Sequence, residues 1–382
     1  MLVVTRPAAR PAAHRVLFRD LPDRRVAYSN ITPNWFASVM GTGIIANAAV
    51  SLPVQVPGLR TAAAAVWALA TVLLVVLVAS TAAHWVRYPH FARRHHRDPV
   101  IGNFYGAMAM ALLTVGTGAV LVGRDWIGLT AALAIGTALW AAGTLLGIVF
   151  AVVIPVLMAK GGHYTADRAF AGWLMPVVSP MVTAAGGAVL LPYSPDGAVR
   201  AALLWFCYGC AGFSVLASVV VIPAVVARLV RRDVWPAAMV PTVWIMLGPM
   251  GQSITAVNSL GADAHLVVGS GAAHALIRFG IGYGWVVTAP LLAWTAVALV
   301  LTARTAATGL PYALTWWSFT FPIGTCATGF SAMATHTGAP AYSILSIGYF
   351  LALVTGWVVA ARGTVPHALM SGHLLRHPDL AR

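Results

Sequence analysis

The sequence contains no glutamate, and Lys160 is its only lysine, so nearly all of its 23 basic residues are arginines. Charged residues make up only 8% of the chain, whereas a soluble globular domain carries about a quarter. Apolar residues make up 60%, arranged in long charge-free runs between residues 33 and 361. Each run can supply the roughly 20 residues that a spanning helix needs. The shortage of charge therefore argues against a soluble domain and predicts an all-α membrane protein.

The net charge of +14 comes from arginines spread over short loops and two tails, not from one basic patch. We therefore attribute this charge to membrane topology and expect no nucleic-acid partner. Residues 1–30 and 363–382 are predicted to be cytoplasmic tails around a transmembrane domain at 31–362. Within that domain we predict ten transmembrane helices, at about 33–52, 62–85, 101–122, 128–158, 170–191, 201–227, 238–261, 272–303, 311–335 and 341–361.

The orientation follows from the loops that carry arginine. If both termini are cytoplasmic, 19 of the 23 basic residues lie in cytoplasmic segments. The outer loops then hold only Arg60, Arg124 and Arg200, and Arg278 lies within the eighth run. Such an excess of basic residues in short cytoplasmic loops is the rule for membrane proteins. We predict a multi-pass protein of the plasma membrane with both termini inside.

The odd-numbered helices begin at intervals of 68 to 73 residues, close to the length of one helical hairpin. The chain is therefore predicted to form five hairpins. Glycine and proline are concentrated in the odd helices, for example in Gly41-Thr42-Gly43 and Gly248-Pro249-Met250-Gly251. Irregular backbone is tolerated at membrane depth where it is packed in protein or lines a watery cavity. We therefore place the odd helices in an inner ring around a central pore.

All nine acidic residues are aspartates, and every one falls in a predicted loop or tail. Proton pumps and cation transporters usually bury acidic groups in the membrane, so their absence favours a path for anions. Backbone N–H groups at glycine and proline breaks, together with neutral side chains, would attract the anion. The predicted pore-lining residues are Phe36, Gly41, Thr42, Gly43, Pro176, Ser179, Thr183, Gly248, Gln252, Ser253 and Thr325.

The sequence carries no metalloprotease, serine-hydrolase or ATP-binding motif, so we expect no catalytic residues, no metal and no cofactor. Cys207 and Cys210 match C-x-x-C, which is typical of redox or metal pairs. We interpret them as small residues at helix contacts, with the redox or metal pair as the alternative. A membrane-embedded enzyme, or a scaffold that transports nothing, is the alternative function from another class.

Four segments on odd helices carry a family resemblance. They are Thr32-Pro-Asn-Trp-Phe-Ala-Ser-Val-Met-Gly-Thr-Gly43, Trp173-Leu-Met-Pro-Val-Val-Ser-Pro180, Gly248-Pro-Met-Gly-Gln-Ser253 and Trp316-Trp-Ser-Phe-Thr-Phe-Pro322. With them, the chain resembles the tellurite-resistance/dicarboxylate transporter family over residues 28 to 362. This family includes plant slow-type anion channels, yeast malate permeases and sulfite exporters.

The resemblance implies ten helices in five hairpins, a homotrimer with one pore in each protomer, and a phenylalanine plug from the ninth helix. Phe321 matches that plug best, and Phe319 is the runner-up. The substrate stays open between C4-dicarboxylates such as malate and inorganic anions such as chloride, nitrate or sulfite. The mechanism stays open between a passive channel and a proton-coupled carrier.

Overall fold

The computed structural model describes residues 17–21, 24–232 and 234–377. Over those ranges the chain is 86% helical and contains no strand, which confirms the all-α prediction. Four arginines of the predicted cytoplasmic tails, Arg6, Arg10, Arg15 and Arg382, lie outside the described residues.

Ten helices of 14 residues or more account for most of the described chain. In chain order they are α1 (Phe36–Ser51), α2 (Leu59–Arg87), α3 (Tyr105–Gly118), α4 (Leu129–Lys160), α5 (Leu174–Leu190), α6 (Ala198–Arg231), α7 (Leu247–Asp263), α8 (Ser270–Thr308), α9 (Phe321–Thr337) and α10 (Pro340–Thr364). A π turn and a short helix, Arg124–Ile127, extend α3.

Seven helical segments of the described chain are long and apolar enough to cross a membrane. They include α2, α4, α6, α8 and α10, together with α3 and α5 when their flanking turns are counted. The other three helices, α1, α7 and α9, are only 16 or 17 residues long.

The long and short helices differ in burial. In the most apolar window of α5 89% of the residues are buried, against 28% in that of α6, which follows it. The odd helices form a closed ring in which each contacts the next and α9 contacts α1. Each even helix packs on the outside of the odd helix that precedes it. The odd helices are therefore the inner ones, as their glycine and proline content predicted.

Each inner helix is preceded by a 3-10 segment that lies within a helix predicted from the sequence. The largest differences are at α7, predicted from 238 but beginning at Leu247, and at α9, predicted from 311 but beginning at Phe321. Charge-free runs do not distinguish the two kinds of helix, which explains the errors. Pro322 occupies the first turn of α9, where its missing N–H costs no helical bond. The irregular backbone thus lies at the starts of the inner helices.

The two terminal segments pair with each other. The backbone N–H groups of Phe18 and Arg19 donate to the carbonyl oxygens of Leu369 and Met370, at 2.9 and 3.0 Å. The side chain of Asn30 donates to the carbonyl of Leu374 at 3.0 Å. The segment before α1 and the segment after α10 are therefore joined by hydrogen bonds.

Candidate anion pathway

A cavity of about 430 Å³ lies within the ring of inner helices. Every inner helix contributes to its wall, through residues such as Asn47 of α1, Thr114 of α3, Gly186 of α5, Gln252 of α7 and Phe321 of α9. A cavity enclosed by all five helices lies on the axis of the ring, where a transport path would run.

A second, much smaller cavity of about 20 Å³ also touches all five inner helices. Its wall is apolar and includes Met40, Met110 and Met175, with Gly248 and Phe321 completing it. Phe321 forms part of the wall of both cavities, so it lies at their junction. Only 3% of Phe321 is exposed, so its side chain is packed against its neighbours at this junction.

The start of α9 fixes the position of Phe321. Thr320 ends the preceding 3-10 segment, and its hydroxyl donates to the carbonyl of Trp317 at 2.6 Å. The N–H of Gly324 donates to the carbonyl of Thr320 at 3.0 Å and so begins the helical bonding. Across from this turn, a Cβ atom added to Gly248 would have one neighbour, Cβ of Pro322 at 4.0 Å. Gly248 therefore leaves open space beside the junction.

Phe319, the runner-up for the gate, has different surroundings. Its ring packs edge-on against Trp244, with ring centroids 6.0 Å apart, and against Trp316, at 6.1 Å. It lines neither of the two axial cavities. The structure thus places Phe321 on the axis and Phe319 in an aromatic cluster beside it.

Gln252 is the polar side chain of the central cavity with the most unused hydrogen-bonding capacity. It is 5% exposed, and its side-chain amide has no hydrogen-bond partner in the described part of the chain. Asn47 differs in part, since its amide nitrogen donates to the carbonyl of Thr114 at 3.1 Å while its Oδ1 has no partner among the described residues. The hydroxyls of Thr255 and Thr328 bond to each other at 2.8 Å. An unpartnered amide in a buried cavity is suited to bind a polar ligand.

Two of the predicted lining residues, Gly248 and Gln252, are on the walls of the axial cavities. The others lie at contacts between helices or within them. They are Phe36, Gly41, Thr42, Gly43, Pro176, Ser179, Thr183, Ser253 and Thr325.

The hydroxyls among these nine residues are occupied by other partners. Thr42 accepts a hydrogen bond from Nε1 of Trp357, on α10, at 2.9 Å. Ser179 donates to the carbonyl of Gly106 at 3.2 Å. The glycines permit close packing instead, since a Cβ atom on Gly43 would lie 2.9 Å from Cγ2 of Thr114. These residues position the inner helices and leave the cavity wall to others.

Sequence reasoning missed a group of charged and polar residues at the end of the cavity formed by the C-terminal ends of the inner helices. Arg124, Tyr193, Asp263 and His336 line it there. Asp263 is the last residue of α7, and Asp125 lies in the short helix that extends α3, so the prediction that every aspartate lies in a loop or tail is wrong for these two residues. Asp23, Asp233 and Asp379 lie outside the described residues. The sequence could have indicated this group, because Asp263 and His336 lie near the predicted ends of odd helices.

These mouth residues are tied to each other and to the ring. Nη1 of Arg124 donates to the hydroxyl of Tyr193 at 3.0 Å. Nδ1 of His336 lies 3.0 Å from Oδ1 of Asn258. The mouth therefore combines a fixed cation, a carboxylate and a titratable imidazole.

The three cysteines are buried and form no disulfide. Cys207 and Cys210 are on α6, outside the inner ring, and Cys326 is on α9. In the described part of the chain, no three His, Cys, Asp or Glu side chains are grouped so that they could hold a metal ion. The C-x-x-C pair thus lies away from the axial cavities.

The profile of one protein family, described as voltage-dependent anion channel, matches residues 30–365. The chain belongs to the SLAC1 family. This confirms the predicted relationship to the tellurite-resistance/dicarboxylate transporters. As a SLAC1 family member the chain is a membrane protein and an anion transporter.

Known relatives cover nearly the whole chain. An uncharacterized transporter of Methanocaldococcus jannaschii is 26% identical over 350 residues, which are 91% of this chain and 97% of the relative. The sulfite efflux pump SSU1 of Trichophyton rubrum is 24% identical over 362 residues, 90% of this chain and 92% of the pump. Both names indicate transporters and not enzymes. The homotrimer and the plasma-membrane location stay predictions.

Proposed function

We propose that this SLAC1 family member conducts small inorganic anions passively along the axis of its five inner helices, with Phe321 as the gate. The observation that carries the proposal is the position of Phe321 at the junction of two axial cavities, each walled by all five inner helices. In this proposal the path opens when the side chain of Phe321 moves, and Gly248 leaves space beside the junction.

The proposed topology has ten membrane crossings in five hairpins, with residues 31–362 in the membrane and both tails in the cytoplasm. Seven segments are long enough to cross on their own. The three short helices, α1, α7 and α9, belong to the ring and are shielded by the longer outer helices, so they need not match the full bilayer thickness. In this orientation the mouth with Arg124 faces outward, and 19 of the 23 basic residues face the cytoplasm.

A compact inorganic anion is the proposed substrate, because an extended dicarboxylate such as malate would need a wider opening at Phe321. Sulfite is the first substrate to test, because fungal relatives are named as sulfite efflux pumps.

The electrostatics of the cavity also support an anion. Among the described residues of its wall, Asp263 is the only acidic one, and it shares the mouth with His336 and with Arg124, whose Nε also lies 3.7 Å from Oδ1 of Asp125. Deeper in, the amide of Gln252 is neutral and without a partner. Neutral donors bind an anion weakly enough for it to leave again, which conduction requires.

Flux in proteoliposomes tests the proposal. Purified protein would be reconstituted and given chloride, nitrate, sulfite, malate and succinate in separate gradients, with protein-free vesicles as the control. We expect electrogenic flux of the compact inorganic anions that exceeds malate flux at least tenfold. Equal leak of all five anions with and without protein would contradict the proposal.

A proton-coupled anion carrier is the second candidate, and the position of His336 in the cavity wall favours it. An imidazole can take up and release a proton, so it could carry one together with an anion. With voltage clamped, a pH gradient should then drive uphill anion uptake, and His336→Asn should abolish that uptake. The channel proposal expects no uphill uptake in either protein.

A further inference from the structure

A third cavity, of about 700 Å³, lies outside the inner ring, in a groove between α2 and α10. Leu69, Leu73 and Val76 of α2 form one side of the groove, and Trp357 of α10 forms part of the other. Its floor is the outer face of α1, where it includes Thr42. We call this space the α2–α10 groove.

The groove opens to the surface that faces lipid in the proposed topology. Leu69 is 42% exposed and Val76 is 53% exposed, so the described residues do not cover the α2 wall. Apolar exposed walls in a membrane are covered either by lipid chains or by another protein chain. The distribution of apolar and charged residues along the groove favours lipid.

The α2 wall of the groove runs from the apolar Leu69 to the cationic Arg87, about 27 Å at 1.5 Å per residue. An apolar wall that ends at a cation matches a lipid, whose acyl chain is apolar and whose phosphate is anionic.

One end of the groove carries an exposed cation. Arg87 lines the groove, and no ion pair to it exists within the described residues. Its guanidinium carbon lies 5.3 Å from the ring centroid of Tyr28, which also lines the groove. This end of α2 leads into the arginine-rich segment that the proposed topology places at the cytoplasmic surface, where basic pockets between helices bind lipid headgroups.

An unpartnered donor gives an independent sign of a polar ligand at this place. Trp35 forms part of the groove wall and is 6% exposed, yet its Nε1–H has no partner in the described part of the chain. Other buried indoles donate normally, as Trp67 does to the carbonyl of Val115 at 3.1 Å and Trp294 to that of Val243 at 3.0 Å. A buried indole N–H usually finds an acceptor, and the ester or phosphate oxygens of a lipid would supply one.

We propose that the α2–α10 groove binds one phospholipid with an anionic headgroup. Its acyl chain lies between α2 and α10 behind α1, its phosphate pairs with Arg87, and a headgroup or ester oxygen accepts from Trp35. The site rests on the proposed topology, but it is distinct from the axial path and does not depend on the proposed transport mechanism.

Native mass spectrometry of the full chain tests the apolar part of the site. The protein would be delipidated in detergent and then mixed with phosphatidylglycerol, or with phosphatidylcholine, at matched concentrations. We expect one tightly held phosphatidylglycerol per chain. Val76→Trp fills the groove and should lower its occupancy at least fivefold. Val75→Trp is the matched control, since Val75 is 64% exposed on the same helix and does not line the groove.

A second pair of variants tests the headgroup contact. Arg87→Gln should reduce the preference for phosphatidylglycerol over phosphatidylcholine to about equal binding. Arg93→Gln, a nearby exposed arginine that does not line the groove, should leave the preference unchanged. The comparison of Arg87→Gln with Arg93→Gln tests the headgroup contact even if Val76→Trp does not fold.

Three results would overturn the proposal. The first is a wild-type chain that retains no lipid. The second is equal lipid occupancy in Val76→Trp and Val75→Trp, both eluting as folded protein. The third is a Val76→Trp variant that loses an oligomer and keeps its lipid, which would assign the groove to a second copy of the chain.

Discussion

Gly251 of α7 lies so close to α9 that an added Cβ atom would be 2.5 Å from the backbone nitrogen of Cys326. No real Cβ contact is that short, and backbone cannot move aside as a side chain can. We therefore expect Gly251→Ala to separate α7 from α9 and to destabilise the protein by about 1–3 kcal/mol. Thermal unfolding in detergent checks this, with Gly248→Ala as the control that keeps the wild-type midpoint. Equal midpoints for the two variants would contradict this packing.

Gly248, one turn earlier on the same helix, borders the junction between the two axial cavities. Gly248→Val adds an isopropyl group to the space beside Pro322 and should lower anion flux at least fivefold while the protein stays folded. Gly212→Val is a suitable control, since Gly212 has nothing within 4 Å of its added Cβ position. If both variants carried wild-type flux, Gly248 would not border the conducting path.

The unpartnered amide of Gln252 leads to a prediction about charge. Gln252→Glu has nearly the same shape but places a carboxylate in the central cavity, where it would repel an anion. We expect anion flux to fall at least tenfold for Gln252→Glu at neutral pH, and to fall less for Gln252→Leu. Flux measured at pH 7 and pH 5 checks the cause, because protonation of the glutamate should restore part of the flux. Equal flux in Gln252→Glu and wild type would remove Gln252 from the path.

The sequence was a good guide to which helices are inside but a poor one to which side chains face the axis. Glycine and proline content marked the odd helices as inner, because close packing and irregular turns need those residues whatever their neighbours are. Hydroxyl side chains gave no such guide. Thr42 and Ser179 donate to carbonyl oxygens in or next to their own helices, and only the rotation of each helix decides what else they touch.

The choice of the gate residue was limited in the same way. Phe319 and Phe321 are two residues apart, and only the family resemblance favoured Phe321 over Phe319. The change from 3-10 to α geometry at Thr320 turns Phe321 to the axis and leaves Phe319 against Trp244. That change of geometry is set by the packing of α9 against α1 and α7, which a charge-free run does not encode.

A buried histidine in the loop after α2 predicts a pH dependence of stability. The pKa of His95 is lowered to about 4. Burial is the largest cause; the neighbouring His84 and His96 act in the same direction, and the nearby Asp98 acts against them. Because this pKa is below that of the unfolded chain, about 6.5, the unfolded chain binds the proton first as pH falls. Stability is therefore full above pH 6.5 and decreases toward pH 4, by up to about 3 kcal/mol.

Unfolding midpoints between pH 7.5 and pH 4.5 measure this effect. His95→Gln should flatten the decrease, whereas His90→Gln, which changes an exposed histidine of the same segment, should leave it as in wild type. An unchanged slope in His95→Gln would show that other groups cause the acid sensitivity.

The central claim is that Phe321 closes the axial path, and the direct measurement is anion flux through Phe321→Ala and Phe319→Ala in matched proteoliposomes. Both changes remove a buried aromatic ring two residues apart, so a general loss of packing would affect both. We predict that Phe321→Ala raises sulfite and chloride flux at least tenfold, while Phe319→Ala leaves flux at or below the wild-type value. Wild-type flux in a folded Phe321→Ala protein, or an equal rise in both variants, would contradict the account.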